Sequence, residues 1–161
     1  MNLLLDGEYV FKKAPWLSWK EVLYGFEHGY INCGGVSIYA CESLTKNSSV
    51  NEYELASLQC DDFLTVSDLL RNLAGDELDE KNPSEAWIYL LLMWVFDNKE
   101  SCCDPFELVD LVCAEFNYPD ELLSLIGYMP LQEGELGSKE HMVNNWTKYL
   151  FEYGEGRKVL C

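Results

Sequence analysis

The sequence predicts an all-α protein, with about eight helices packed around one central hydrophobic helix at residues 83–98. Three observations favour this fold class. First, residues 86–96 are eleven consecutive apolar side chains, and a helix that is apolar on every side has to be surrounded by other elements. Second, this run is shorter than the roughly 20 residues that span a bilayer, so it indicates the interior of a globular domain. Third, the flanking chain shows helical spacing of apolar residues, and no stretch alternates convincingly like a strand.

The first residues of the chain show the weakest secondary-structure pattern. Within residues 1–15, the Tyr-Val-Phe run at 9–11 is interpreted as a short extended piece. A helix then begins at Ser18 and ends at Gly29, because apolar side chains recur between them at helical spacing. Gly25 lies inside this helix, where glycine costs roughly 1 kcal/mol relative to alanine. We interpret it as a point of close approach by another backbone.

Start and stop signals place the other helices. A capping residue followed three positions later by an acid is typical of a helix start, as is proline at the first helical position. A glycine after the last apolar residue is typical of a helix end. These signals predict helices at 36–45, 51–60, 65–75, 83–98, 104–116, 118–127 and 138–154. We expect one domain over residues 1–161, with residues 155–161 as a frayed tail.

Charge and cysteine content limit which partners and which cellular compartment the sequence predicts. The 161 residues include 28 acidic and 11 basic side chains, which gives a formal charge of −17. Such a chain repels nucleic-acid phosphate and anionic membranes, so we expect no direct binding to either. The seven cysteines include no C-x-x-C pair, and the first residues lack the basic and apolar segments of a secretory signal. We therefore expect reduced thiols and a cytoplasmic location.

The residues offer little for catalysis or for a metal site. Only two histidines are present, and no cysteine or histidine pair has zinc-finger spacing. The adjacent Cys102 and Cys103 lack the neighbouring base that a nucleophilic thiol needs. Glu107 and Asp110 have the spacing of an acid–base pair, but two acids on a solvated helix face are common. We expect no enzyme activity, no metal and no cofactor.

Acidic residues concentrate between Asp76 and Glu121, a segment that contains 13 acidic residues and only 2 lysines. Because the helices predicted there also carry core residues, these carboxylates should crowd onto the outward faces. Such a negative surface is either simply solvated or docks a basic protein, whose association it would accelerate. The residues predicted to bind a partner are Glu77, Asp79, Glu80, Asp97, Glu100, Glu107 and Asp110.

Several stretches of this sequence also match a known pattern. Residues 104–109 read D-P-F-E-L-V, residues 114–121 read A-E-F-N-Y-P-D-E, and residues 128–130 read Y-M-P. They resemble a bacterial family of small acidic proteins, known as a domain of unknown function, with the pattern D-P-L-E-x-V, A-D-F-x-Y-P-x-E and R-Y-M-P. The tryptophan and glycines of residues 19–31 resemble its N-terminal W…G-Y-x-x-G-W-I element. Departures from the family pattern are Phe106, Glu115 and Gly127, the last of which stands where the family has arginine.

The resemblance implies no established enzyme activity, and it suggests a role in toxin immunity. Proteins similar to this family are in some cases encoded beside polymorphic or contact-dependent growth-inhibition toxins, as their immunity proteins. We therefore expect a protein that neutralises a basic toxin domain, in the first instance a nuclease, by steric occlusion through its acidic surface. The alternative is a non-catalytic interaction module or homo-oligomer that uses exposed aromatic residues, for which Tyr30 and Tyr128-Met129-Pro130 are candidates.

Overall fold

The computed structural model describes residues 3–58, 63–75, 82–125 and 139–159, and over these ranges the chain is helical with no strand. A 3-10 helix at Asp120–Leu125 precedes the last α-helix. The predicted all-α class is confirmed. The α-helices are α1 (Gly7–Lys13), α2 (Trp19–Glu27), α3 (Cys33–Ser43), α4 (Val50–Ser57), α5 (Phe63–Ala74), α6 (Ser84–Asp97), α7 (Pro105–Glu115) and α8 (Lys139–Val159).

The chain groups into two compact units, residues 2–90 and residues 91–161. The division falls inside α6, so that its N-terminal half belongs to the first unit and its C-terminal half to the second. In the first unit, α3 packs on α1 and α4, and α2 packs on α5. In the second unit, the 3-10 helix packs on α7 and α8. Whether residues 1–161 behave as one domain stays a prediction.

Helix α6 carries the apolar run and is enclosed over nearly two turns. Each residue from Ala86 to Leu92 is at most 5% exposed, so no face of this stretch reaches water. The helix begins at Ser84, one residue after the predicted start, and the Asn82 side chain accepts a hydrogen bond of 3.1 Å from the Ser84 N–H, as expected of a cap. Each large apolar side chain buried here contributes about 1.5–3 kcal/mol before conformational entropy is subtracted.

In the first unit, the indole ring of Trp87 in the N-terminal half of α6 packs against α2. Trp87 Nε1 donates a hydrogen bond of 2.6 Å to the backbone oxygen of Glu21. A Cβ atom on Gly25 would lie 2.0 Å from ring carbon Cζ2 of Trp87. Gly25 therefore permits a close approach, as predicted, but the neighbour is a side-chain ring and not another backbone.

Residues 9–11 are helical, and the prediction of an extended piece is wrong. They lie in α1, whose cap residue Asp6 accepts a hydrogen bond of 3.1 Å from the Glu8 N–H. Helix α1 packs so closely on α3 that a Cβ on Gly7 would overlap the carbonyl group of Gly35. This packing and the cap outweigh the β propensity of the Tyr-Val-Phe run.

The C-terminal part contains two further corrections. Helix α8 continues past Gly154 to Val159, so residues 155–159 do not form a frayed tail. An internal glycine costs only about 1 kcal/mol, which a long helix tolerates. The helix predicted at 118–127 is a short 3-10 helix, Asp120–Leu125, and residues 126–138 lie outside the described ranges.

Helices α3, α4 and α5 begin earlier than predicted, and for α3 and α4 the reason is a capping side chain that precedes the predicted start. Asn32 caps α3 by accepting a hydrogen bond of 2.7 Å from the Gly35 N–H. Ser49 and Glu52 form the capping box of α4, three residues apart, with side-chain to backbone bonds in both directions. Each cap satisfies N–H groups that a helix leaves without a partner in its first turn.

Candidate functional site

Exposed carboxylates between residues 97 and 121 form the candidate site. They belong to the second unit and are placed by the end of α6, the turn at residues 98–104, α7 and the 3-10 helix. We call these seven side chains the acidic surface: Asp97, Glu100, Asp104, Glu107, Glu115, Asp120 and Glu121. By sequence the same segment contains eight acids and a single basic residue, Lys99.

Helix α7 presents part of the acidic surface along one side. Asp104 caps this helix, because its Oδ1 accepts hydrogen bonds from the N–H groups of Phe106 (3.1 Å) and Glu107 (3.2 Å). Glu107, Leu111 and Glu115 follow one another at intervals of four residues, and all three are exposed. An apolar side chain thus lies between two carboxylates on the water-facing side of α7.

Lys99 does not extend toward solvent. Its Nζ lies 4.1 Å from the centroid of the Phe96 ring and 3.5 Å from the Phe96 carbonyl oxygen. The first contact is a cation–π interaction, and the second satisfies a carbonyl group at the end of α6. The single cation of the segment is therefore held at the end of α6, and the local charge stays strongly negative.

Asp110 does not share the exposure of Glu107, contrary to expectation. It is half-buried, and within the described chain its buried Oδ1 atom accepts no hydrogen bond. One turn further on, Cys113 is fully buried. Burial raises the pKa of the Cys113 thiol to about 12, and the charge of Asp110 adds to this rise. Asp110 thus belongs in part to the interior of its unit.

We expect the stability of the protein to fall between pH 9 and about 12, in part because of Cys113. The unfolded chain ionises this thiol near its ordinary pKa of 9.0, whereas the folded chain keeps the proton up to about pH 12. In this window the folded state binds more protons, so the free energy of unfolding decreases as the pH rises. Urea unfolding of a Cys113→Ala variant should show a shallower decrease than the wild type. Equal slopes would contradict the raised pKa.

Sequence reasoning missed the exposed Tyr118, which follows α7 directly. Asn117 and Tyr118 both have left-handed backbone, with φ of 60° and 51°. Their N–H groups bond to the carbonyl oxygens of Ala114 (3.1 Å) and Cys113 (2.7 Å), which is the Schellman pattern of helix ends. A bulky residue rarely adopts this conformation, and here the two backbone hydrogen bonds hold Tyr118 in it, two residues before Asp120. The available signal was asparagine followed by Tyr-Pro at the end of an apolar helix.

Among the predicted partner-binding residues, Asp97, Glu100 and Glu107 are exposed, and Asp110 is half-buried. Glu77, Asp79 and Glu80 lie outside the described residues, so their role stays a prediction. Of the aromatic residues considered for the alternative function, Tyr30 is only 3% exposed, which removes it as part of a surface patch. Residues 128–130 also lie outside the described ranges.

No group of three or more histidine, cysteine, aspartate or glutamate side chains in the described ranges could hold a metal ion. Nor does any helix in the described ranges combine the length and apolar content needed to cross a membrane.

Comparison with known proteins identifies the family. No curated protein and no solved structure matches this chain. A family model matches residues 8–153, a range that includes the whole acidic surface and most of the helices. The predicted membership in an uncharacterised bacterial family is therefore confirmed. The chain belongs to the family described as "Uncharacterized protein conserved in bacteria (DUF2247)".

Proposed function

We propose that this protein is a non-enzymatic immunity protein, which binds a basic toxin domain and occludes the surface that the toxin needs. The observation that supports this best is the acidic surface, with seven exposed carboxylates between residues 97 and 121. The lysine of this segment is held against Phe96 and leaves the excess of negative charge in place. The resemblance to proteins encoded beside toxins supplies the biological role.

The charge of the surface favours a nuclease as the toxin. Nucleases bind phosphate through lysine and arginine side chains, and a row of carboxylates presents the same sign of charge to these cations. Binding there would block access of nucleic acid without any chemistry by the immunity protein. Leu111 and Tyr118 are exposed near these acids and would supply the apolar contacts that interface centres require.

Co-expression with the product of the gene immediately upstream, which the proposal expects to be a toxin, tests the proposal. Cells that make the toxin domain alone should stop growing, and cells that also make this protein should grow normally. The two proteins should also co-purify as a stable complex. An unrelated protein of similar negative charge serves as the control for non-specific attraction and should give no protection. Failure of both protection and complex formation would reject the immunity role.

A further inference from the structure

Helix α7 exposes a narrow apolar stripe, which continues into the turn after the helix. Leu111 and Ala114 are exposed on α7 itself, and Tyr118 is exposed directly after it. The three residues follow one another at intervals of three and four, so Leu111 and Ala114 share one face of the helix. We call Leu111, Ala114 and Tyr118 the α7 stripe. Such spacing is typical of the seam between two packed helices.

The α7 stripe has a small residue at its centre. Ala114 carries only a methyl group, and in the sequence it comes between the larger side chains of Leu111 and Tyr118. The turn keeps Tyr118 close to Ala114, because the Asn117 N–H bonds to the Ala114 carbonyl oxygen at 3.1 Å and the Tyr118 N–H bonds to that of Cys113 at 2.7 Å. A small residue between two large ones leaves a notch into which a side chain of a neighbouring helix packs.

Carboxylates stand at both ends of the α7 stripe. Glu107 lies one turn before Leu111 on α7, and Asp120 and Glu121 begin the 3-10 helix that follows Tyr118. These three acids are exposed, and within the described ranges none of them forms an ion pair. A partner that covers the stripe therefore meets negative charge at each end, which favours lysine or arginine side chains there.

A partner recognises this part of the chain through side chains. An extended peptide docks by adding a strand to a sheet edge, and the described part of the chain contains no strand. The N–H and C=O groups inside α7 are occupied by the hydrogen bonds of the helix itself. Proline-rich segments need a groove lined by aromatic rings, and the α7 stripe has a single ring. Of the common modes of peptide recognition, helix packing fits the spacing of the stripe.

We propose that the α7 stripe docks an amphipathic helix of a basic partner protein. An apolar side chain of that helix would pack over Ala114, between Leu111 and Tyr118, and its basic side chains would face the carboxylates at the two ends of the stripe. A second copy of this chain is a poor occupant, because it would bring its own carboxylates and another charge of −17 to the same surface.

This inference deepens the proposed function, since it names the structural element of the toxin that the acidic surface recognises. It rests on that function for the identity of the partner as a toxin, but not for the chemistry of recognition. Synthetic peptides test this chemistry without any toxin. The two proposals can therefore fail separately.

Two fluorescent peptides of about 18 residues serve as probes, because shorter helices are only marginally stable in water. Both contain the same numbers of leucine, alanine and lysine residues. In one, the leucines recur at intervals of three and four and form one apolar face; in the other, they are scattered around the helix. Fluorescence anisotropy should show that the amphipathic peptide binds about tenfold more tightly than the scattered one. High salt should weaken the binding of both.

Variants of Ala114 test whether the notch receives a helix. Ala114→Gln keeps the net charge and a good helix former, but its longer side chain fills the notch and should lower the affinity for the amphipathic peptide about tenfold. Ala114→Ser keeps the notch open and should retain most of the affinity. Leu111→Ser should also weaken binding, whereas Leu64→Ser, at a position that is 73% exposed in the first unit, should not. Circular dichroism of each variant verifies the fold.

Three results would overturn the inference. Equal affinity for the two peptides would mean that charge alone is recognised. An unchanged affinity of Ala114→Gln or of Leu111→Ser would place the binding elsewhere. Dimerisation of the wild type in sedimentation experiments, lost in Ala114→Gln, would assign the α7 stripe to a second copy of the chain. If the toxin experiments fail but the peptides are distinguished as expected, the immunity role is rejected and the assignment of the α7 stripe stands.

Discussion

Gly25→Ala should destabilise the protein by about 2–3 kcal/mol, the cost of overpacking a rigid interior. The added Cβ would lie 2.0 Å from Cζ2 and 2.1 Å from Cε2 of Trp87. The ring cannot easily move away, because it is fully buried and its Nε1 is hydrogen-bonded to the backbone of Glu21. Urea unfolding followed by circular dichroism would give the loss as a lower midpoint.

Gly156→Ala is the matched control, because Gly156 also lies inside a helix but has no atom within 4 Å of an added Cβ. This exchange should stabilise the protein by up to about 1 kcal/mol, since alanine is the better helix former. The double variant Gly25→Ala with Trp87→Leu should lose less stability than the sum of the two single changes, because the smaller side chain removes the overlap. A Gly25→Ala variant as stable as the wild type would contradict the close packing of α2 on Trp87.

Reversing two charges of the acidic surface should slow the association with a basic toxin domain by about 10- to 100-fold at low salt. The variant is Glu100→Lys with Glu107→Lys. Both side chains are exposed, so the fold should be retained. Each exchange raises the net charge by two, and the steering attraction weakens accordingly. Stopped-flow or surface plasmon resonance measures the rate, and at high salt the difference from the wild type should shrink.

Glu42→Lys with Glu54→Lys makes the same change in net charge at two exposed positions of the first unit. Association of this control should slow far less than that of the double variant in the acidic surface. Equal slowing by both pairs would show that only the overall charge matters. An unchanged rate for both pairs would remove charge steering from the proposed mechanism.

Local features were readable from the sequence. The apolar run of α6 has to be buried whichever helices surround it, because none of its faces carries polar side chains that could interact with water. The cap of α7 joins residues two and three positions apart, Asp104 with Phe106 and Glu107, so it depends on nothing distant in the chain. The negative charge of residues 97–121 follows from composition, and carboxylates are rarely fully buried, so most of these acids were expected at the surface.

Other features of the structure depend on packing between residues that are far apart in the sequence. Residues 9–11 are helical partly because α1 packs on α3, a contact between distant segments that the β propensity of these three residues does not reflect. Glu107 and Asp110 are both acids of α7, only three residues apart. Of the two, Asp110 alone has a buried carboxylate oxygen, and Glu107 is exposed. By itself, the sequence determined the helical class, the buried helix and the sign of the surface charge. Only the tertiary structure decided which acids reach water and which apolar side chains stay exposed, because both depend on which helices meet.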